Sequence, residues 1–448
     1  MEIRRTLWII IFLIPIASSA QEKINFADLD ARSYQLYEEA KWKELIDLGQ
    51  TGLESGIDYF YLRMRLGIAE FNIKHYQSAI PHFRKALKFS ESDPLTLEYL
   101  YYSLLWSGRK QEARLLAQNM PAVTRKKIGV YSDSILKGVF LEGGQVAVMD
   151  TDSLISFQPE GFLVDHYLLK NYLYVSGGLE LDFGERFTML AGLNYMKFSA
   201  LQQLSVPSPV GMQIFDFDHQ NTQTGLYLGG EWTLHPNWYL GLAGHFIKGD
   251  FNYREYTPDI MMGQSQFASL WFNYRDFVLE GSLSHRFKTV QAGINASYFN
   301  LGDKSGTQTG LDLTWYPFGN LNFYLQAHSD WVLPLETDEY EGRWVWQGMA
   351  GMKIFRYLWV EAHAGAGRMA GWSEKSAYIV YNNQDPILLR SGLNVIIPDI
   401  TKGLSLTFRY QLQQREHSWE IDEGEIEPLI ETKKYLNNSI IGGITWTF

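Results

Sequence analysis

The stretch Leu436-Asn437-Asn438-Ser439-Ile440-Ile441-Gly442-Gly443-Ile444-Thr445-Trp446-Thr447-Phe448 decides how the rest of the chain is read. Counting back by two from Phe448 gives Trp446, Ile444, Gly442 and Ile440, whereas the intervening positions are Thr447, Thr445, Gly443, Ile441 and Ser439. Period-two alternation defines a strand whose two faces meet different media. An aromatic residue at its end suits a membrane interface. The same pattern also occurs at the edge of a soluble antiparallel sheet, so the preceding strands must arbitrate.

Working backwards, the alternation recurs. Leu404, Leu406, Phe408, Tyr410 and Leu412 oppose Ser405, Thr407, Arg409, Gln411, Gln413 and Arg415. Trp344, Trp346, Ala350, Met352 and Ile354 oppose Arg343, Gln347 and Lys353. Leu321, Phe323, Leu325, Ala327 and Trp331 oppose Asn322, Gln326, His328 and Asp330, and Leu311, Leu313 and Trp315 oppose Gln308, Asp312 and Thr314. Continuous aromatic and aliphatic bands set against charged faces read as lipid outside and water inside. A soluble sandwich is the competing reading. Tight connections at 184–186, 235–237, 287–289, 318–320, 355–357 and 399–403 alternate with longer polar stretches at about 151–165, 200–220, 251–264, 300–306, 333–342, 371–385 and 417–434. With 265–287 taken as one long strand, the count is about 14, even, so both barrel ends face the same side. The last strand is expected to close the ring against residues near 136–150, removing both edges. Ile444, Trp446 and Phe448 are also expected to carry an assembly signal.

Composition agrees. The 448 residues are 15% aromatic, with 27 Tyr and 14 Trp, yet mean hydropathy is only −0.19, too polar for a bundle of membrane helices. A barrel reconciles the two, because only alternate residues face lipid. The absence of cysteine excludes thiol chemistry and cysteine metal sites, and a net charge of −11 argues against a nucleic-acid partner. Arg4 and Arg5, the apolar run Leu7 to Ile16 and the small residues Ala17-Ser18-Ser19-Ala20 read as a secretory signal peptide over 1–20, its apolar core shorter than a spanning helix requires.

Between Asp28 and Met120 the period changes to helical. Leu66-Gly67, Ala69, Phe71, Tyr76, Ala79, Phe83 and Ala86 fall at the spacing of a 34-residue helical repeat. Advancing by 34 turns Ala79 into Ala113 and places Gly108 at the turn; retreating turns Tyr76 into Trp42. The flanking copies are degenerate, with Leu45 in the place of Ala79 and Tyr101 in the place of Gly67, as terminal repeats are. This motif resembles the tetratricopeptide repeat, and three copies, with or without a further helix before the linker, are expected over 21–125; their tyrosines either pack helices or present a concave binding surface. Residues 120–127 break the pattern, so a linker is expected over 126–135, ahead of a barrel over 136–448. Its basic run, Arg125-Lys126-Lys127, suits anionic lipid headgroups or plain solvent.

Candidate lumen-lining residues are Glu231, Glu280, Arg286, His328, Asp330, Arg343, Lys353, Glu361, His363, Arg409 and Arg415, with Glu180, Asp182, His245 and Asp312 also directed inward. Mixed charges either line an aqueous path or pair with one another. An interior of this size also admits an inward-folded loop as a plug. Glu361 and His363 share a face as a base and its orienter would, but no nucleophile in a recognisable setting accompanies them. Catalysis is not expected, and neither a phosphate-cradling loop nor a two-histidine metal motif calls for a cofactor. Glu416, Glu420, Asp422, Glu423, Glu425, Glu427 and Glu431 make the last loop acidic without the spacing of an ordered calcium loop.

Taken together, a secretory address, helical repeats and a C-terminal barrel resemble the outer-membrane proteins that export exopolysaccharides such as cellulose and poly-N-acetylglucosamine, and the repeat-containing, YaiO-like outer-membrane proteins. The resemblance implies the outer membrane of a Gram-negative bacterium, with the repeats in the periplasm. It implies contacts with outer-membrane lipid and the barrel-assembly machinery, and a periplasmic protein partner. The expected function is a transport or secretion component with the barrel as passage. The alternatives are an interaction scaffold anchored by a filled barrel, and a barrel-borne hydrolase.

Overall fold

A computed structural model describes residues 25–130, 134–149, 154, 163–208, 211–258, 265–335, 341–374, 376–383, 385–422 and 429–448. The expected signal peptide lies outside these residues.

The described N-terminal part is helical: α1 (Phe26–Glu38), α2 (Trp42–Glu54), α3 (Phe60–Asn72), α4 (Tyr76–Phe89), α5 (Pro94–Trp106), α6 (Lys110–Gln118) and α7 (Ala122–Lys127). Starts at 26, 60 and 94, and at 42, 76 and 110, each advance by 34 residues, so three helix pairs repeat at the period read from the sequence. Close packing explains the small residues. A Cβ on Gly67 would stand 2.5 Å from the Phe83 ring, and Ala79, Phe83, Ala86 and Ala113 form one core. Trp42 packs edge-on to Tyr37, and Tyr76 lies between Phe71 and Trp106. Gly108 turns the chain between α5 and α6 with φ of +82°, a conformation that favours glycine. Asp93 starts α5 by accepting the Thr96 N–H, with Pro94 in the first turn.

The expected linker needs correction. Pro121 opens α7 rather than ending order, because its fixed φ suits the start of a helix. Thr124 and Ile128 are buried, and Lys127 pairs with Glu98 at 2.5 Å. The helical layer therefore runs through Lys127, two residues past the boundary expected at 125.

The barrel comprises β1 (Leu136–Val148), β2 (Leu163–Phe183), β3 (Phe187–Ser208), β4 (Gly211–His235), β5 (Trp238–Pro258), β6 (Ser265–Arg286), β7 (Val290–Leu301), β8 (Lys304–Trp315), β9 (Phe323–Pro334), β10 (Arg343–Phe355), β11 (Leu358–Met369), β14 (Ile387–Thr401), β15 (Leu404–Asp422) and β16 (Leu429–Thr447). Between β11 and β14 comes a small hairpin, β12 (Trp372–Glu374) and β13 (Ile379–Tyr381). The fourteen long strands form a closed antiparallel ring. β16 meets β1 in register from Gly138↔Thr447 to Val148↔Asn437, which leaves neither strand as an open edge. Leu242, Leu279, Ile294, Leu311, Trp346, Phe408, Ile440, Ile444 and Trp446 are exposed on the outer wall; the residues beside them in sequence turn inward.

Most of the long polar stretches are shorter as loops than expected. β3 and β4 pair as far as Ser208↔Gly211, and β5 and β6 as far as Pro258↔Ser265. The stretch at 300–306 is a two-residue turn, with Gly302 and Asp303 both at positive φ. β15 and β16 run on to Ile421↔Leu429, so part of the acidic stretch is strand, while Glu423, Glu425 and Glu427 lie outside the described residues. Ala200, Leu201, Gln202, Gln203 and Leu204 are all buried, so both faces of this end of β3 are covered by protein, and apolar alternation lapses although backbone pairing continues. Pairing, unlike alternation, leaves no mark on side-chain polarity.

Candidate functional site

Three layers occupy or cover the barrel interior. The first is the helical array, which sits on the rim bearing the tight turns. Arg114 of α6 pairs with Asp182 at 2.5 Å, and Lys110 pairs with Glu180 at 2.7 Å. Gln111 donates to Glu231 at 2.6 Å. Arg286 donates to the Ser107 carbonyl at 2.9 Å and stacks over Tyr316 at 3.8 Å. The 316–322 connection is stitched to the helices by Gln77 N–H to the Gly319 carbonyl, Asn320 to the Lys74 carbonyl and Leu321 N–H to the Trp106 carbonyl. Alternating inward residues on β2, β4 and β6 thus meet one polar face of α6 and the α5–α6 turn. Tyr76, Gly108 and their neighbours both pack the repeats and shape this contact.

The second layer is the β12–β13 hairpin. The stretch at 371–385, expected as an outer loop, folds into the lumen. Its composition explains why: Trp372, Tyr378, Ile379, Val380 and Tyr381 are poor loop residues but good core residues. Trp372 stacks on Tyr381 and is fully buried among Val278, Phe299, Val332, Val345, Met369 and Ile387. Its indole N–H donates to Asp330 at 2.8 Å. Ser373 exchanges two backbone bonds with the Gln308 amide, and Glu374 forms an ion pair with Arg390, which also contacts Tyr381. At the tip, the Ala377 carbonyl bonds His245 Nδ1 at 2.9 Å, and the Tyr378 hydroxyl meets Ser176 at 3.0 Å. Around the ring from β14, past β11, to β5 is seven steps of fourteen. The hairpin, rooted beside β14 and latched to His245 of β5, therefore crosses the full width of the lumen. Ser376 and Ala377 both adopt positive φ at this tip; for residues other than glycine such backbone holds only where its surroundings enforce it.

The third feature is a chamber of about 470 Å³ bounded by the barrel wall and the hairpin. Its lining mixes apolar side chains, among them Met196, Phe198, Ile247 and Val380, with charged and polar ones. Glu142, Glu231, Glu280 and Asp312 contribute carboxylates; Arg390, Arg409 and Arg415 contribute guanidinium groups. His328 bridges Asp312 and Asp330 at 2.5 and 2.6 Å, so both ring nitrogens are engaged.

Of the lumen candidates, Glu231, Glu280, His328, His363, Arg409 and Arg415 line the chamber. The others point inward but serve neighbouring structure. Asp330 holds Trp372, and Arg286 meets the helical layer. Arg343 donates to the carbonyls of Arg368 and Ala370 at the root of the hairpin. Lys353 lies over the Trp359 ring. Glu361 accepts from Tyr324 and Asn394. Sequence reasoning did not single out Trp372, Tyr378 or Arg390. The cluster of apolar residues after Gly371, in a stretch otherwise read as solvated, was the available signal.

The fold and its contents define a closed, fourteen-stranded antiparallel barrel with a capped rim and an internally plugged lumen. No family model matches the chain, and no curated protein matches it. Among solved structures, it resembles a Pseudomonas aeruginosa FadL homologue (9% identity, TM-score 0.46, covering 77% of this chain and 94% of that one). It also resembles the Pseudomonas putida toluene transporter TodX (9%, 0.44, 71% and 90%) and the Ralstonia pickettii toluene transporter TbuX (7%, 0.45, 71% and 91%).

Proposed function

We propose that the chain is an outer-membrane transport component whose barrel passes a small polar solute and whose passage is closed, in this conformation, by the β12–β13 hairpin. The observation that carries this reading is the chamber. A barrel serving only as an anchor gains most from a packed lumen, because buried polar groups without partners cost free energy. Here about 470 Å³ of space, its wall bearing both carboxylates and guanidinium groups, is retained beside a hairpin that non-covalent contacts hold in place. The outward apolar wall supports membrane residence. With the rim turns facing the periplasm, the helices lie there, placed to receive solute or a protein partner. Assembly would then pass through the barrel-assembly machinery. Export of a polysaccharide strand requires the hairpin to withdraw entirely, so the chamber favours a small solute over a polymer.

The test is conductance in planar bilayers. The full-length protein should conduct weakly or in brief openings, and replacing residues 372–381 by a short glycine-serine linker should raise conductance several-fold. If both proteins insert and neither conducts, the passage reading fails.

A second reading, an anchored scaffold, has its own observation. Tyr34 and Tyr61 are exposed on the first helices, and the Arg65 guanidinium lies 5.3 and 5.9 Å from their ring centroids, a surface suited to a periplasmic partner of tetratricopeptide-type repeats. Loss of a cross-linked periplasmic partner on Tyr61→Ala in the full chain would support it; an unchanged cross-linking pattern would count against it.

A further inference from the structure

The chamber is polarised across the barrel, and the ring order shows how. Glu231, Glu280 and Asp312 stand on β4, β6 and β8. Arg409 stands on β15, seven steps of fourteen from β6, so the centre of the acidic arc faces the arginine directly. Arg390, on β14, is neutralised within the plug by Glu374, and His328 is held between two carboxylates. Arg409 and Arg415 on β15 thus supply the opposing charge, beside Glu142 of β1, whose carboxylate accepts from the Tyr174 hydroxyl at 2.6 Å. The Arg409 Nε is buried with no hydrogen-bond partner. Beside it on the same strand face, the Gln411 amide is 8% exposed and its Nε2 has no partner either. On the acidic side, Asn295 is 8% exposed; it donates to Asp312 at 3.1 Å and leaves its Oδ1 without a partner. Buried polar atoms in native proteins are nearly always satisfied. Arg409, Gln411 and Asn295 all line the one chamber, with the donors on the arginine wall and carboxylates opposite.

Resting on the transport reading above, we infer that the chamber binds zwitterions of amino-acid to dipeptide size, with the ammonium toward Glu280 and Asp312 and the carboxylate toward Arg409 and Gln411. A singly charged solute meets one complementary wall and one repelling wall. A neutral solute gains neither charge-assisted bond. Only a molecule with both charges, separated along its length, satisfies both walls, and a dipeptide fits the volume with its hydration incomplete.

Four probes of nearly equal size isolate the charge pattern: Ala-Ala, its C-terminal amide, its N-acetyl derivative and the doubly capped N-acetyl amide. Equilibrium binding to the full-length protein in detergent, by isothermal titration calorimetry, reads the inference without requiring conduction. Ala-Ala should bind about tenfold more tightly than either singly capped probe, the worth of one charge-assisted hydrogen bond. Glu280→Gln and Arg409→Gln should each erase that preference. The double exchange E280R/R409E should restore it, because the ligand can reverse, whereas a merely structural role for either residue predicts further loss. Retained heat-modifiable migration shows that each variant has folded. Equal binding of all four probes, or no binding of Ala-Ala, overturns the inference. If Ala-Ala binds selectively but the hairpin-replaced protein never conducts, the site stands and the passage reading is what fails.

Discussion

In the helical layer Phe83, Ala79 and Leu104 are buried and Lys43, Lys88 and Glu91 face water; in the barrel Leu242, Ile294 and Trp446 face outward while Gln308, Asp330 and Arg415 are buried. The two regions invert each other's hydrophobic order. Water drives apolar groups inward in the first; on the membrane reading proposed above, lipid removes that drive from the second, where closed strand pairing satisfies the backbone. The difference teaches that burial has distinct energetic meanings along one chain. A buried residue of the helices contributes transfer free energy, whereas in the lumen the apolar cluster around Trp372 is joined by buried groups that contribute specific polar bonds.

Phe83→Ala should test this most sharply. It removes an aromatic ring from the centre of the helical core, at a cost of about 3–5 kcal/mol. The expected outcome is early loss of the helical circular-dichroism signal on heating, with the barrel's heat-modifiable migration unchanged. A simultaneous shift of both transitions would break the comparison and make the two regions one cooperative unit. Next, Ile294→Arg places a charge on the lipid face and should cost about 2–4 kcal/mol near the bilayer midplane. Refolding yield into vesicles should fall, whereas the helical signal of the protein that does fold should not move. A wild-type yield would show that this face is not in lipid.

Arg114→Ala probes the join. Its partner Asp182 is nearly buried, so loss of the guanidinium leaves a carboxylate without its ion partner, and the expected cost is on the order of 1–3 kcal/mol. The helical layer should loosen on the rim, read as faster hydrogen exchange at α6 and at residues 180–188. Unchanged exchange at both would mean that the rim contacts contribute nothing to the union.

The smallest expected effect is a pH dependence confined to the helices. Burial, reinforced by the Arg63 guanidinium, pushes His82 down to about 4, against the weaker pull of Asp58. Arg63 donates to the ring nitrogen at 3.2 Å, which suits a neutral imidazole. Because the folded value lies below the unfolded one, the unfolded chain binds the extra proton first. Stability is therefore full above about pH 6.5 and declines as pH falls toward about 4. His82→Gln should flatten the melting temperature of the helical signal between about pH 7.5 and pH 5. An equally steep dependence in the variant would assign the effect elsewhere.

Much of this architecture is legible in the residues. Gly67, Ala79 and Phe83 mark the repeat because two helices at contact distance admit only small side chains opposite a large one. Arg409, Gln411 and Gln413 mark the lumen face because they alternate with Phe408, Tyr410 and Leu412. The reading weakens where the physical signal is absent. Strand pairing between 200 and 220 is carried by backbone groups that every residue shares, so the polar side chains there concealed it. Pro121, read as a stop, is a start, because the same fixed φ serves either role and only its neighbours choose.

The sequence by itself determined the two periodicities and a ring of about fourteen strands, because each follows from local alternation and spacing. Tertiary structure alone decided what fills the ring. That Trp372 descends into the lumen, that Ala377 reaches His245 on the far wall, that α6 seats its cations on Asp182 and Glu180, and that Arg409 faces Glu280 across the chamber all depend on closure. Closure sets residues far apart in the chain at fixed angles around one axis, and no local pattern records an angle.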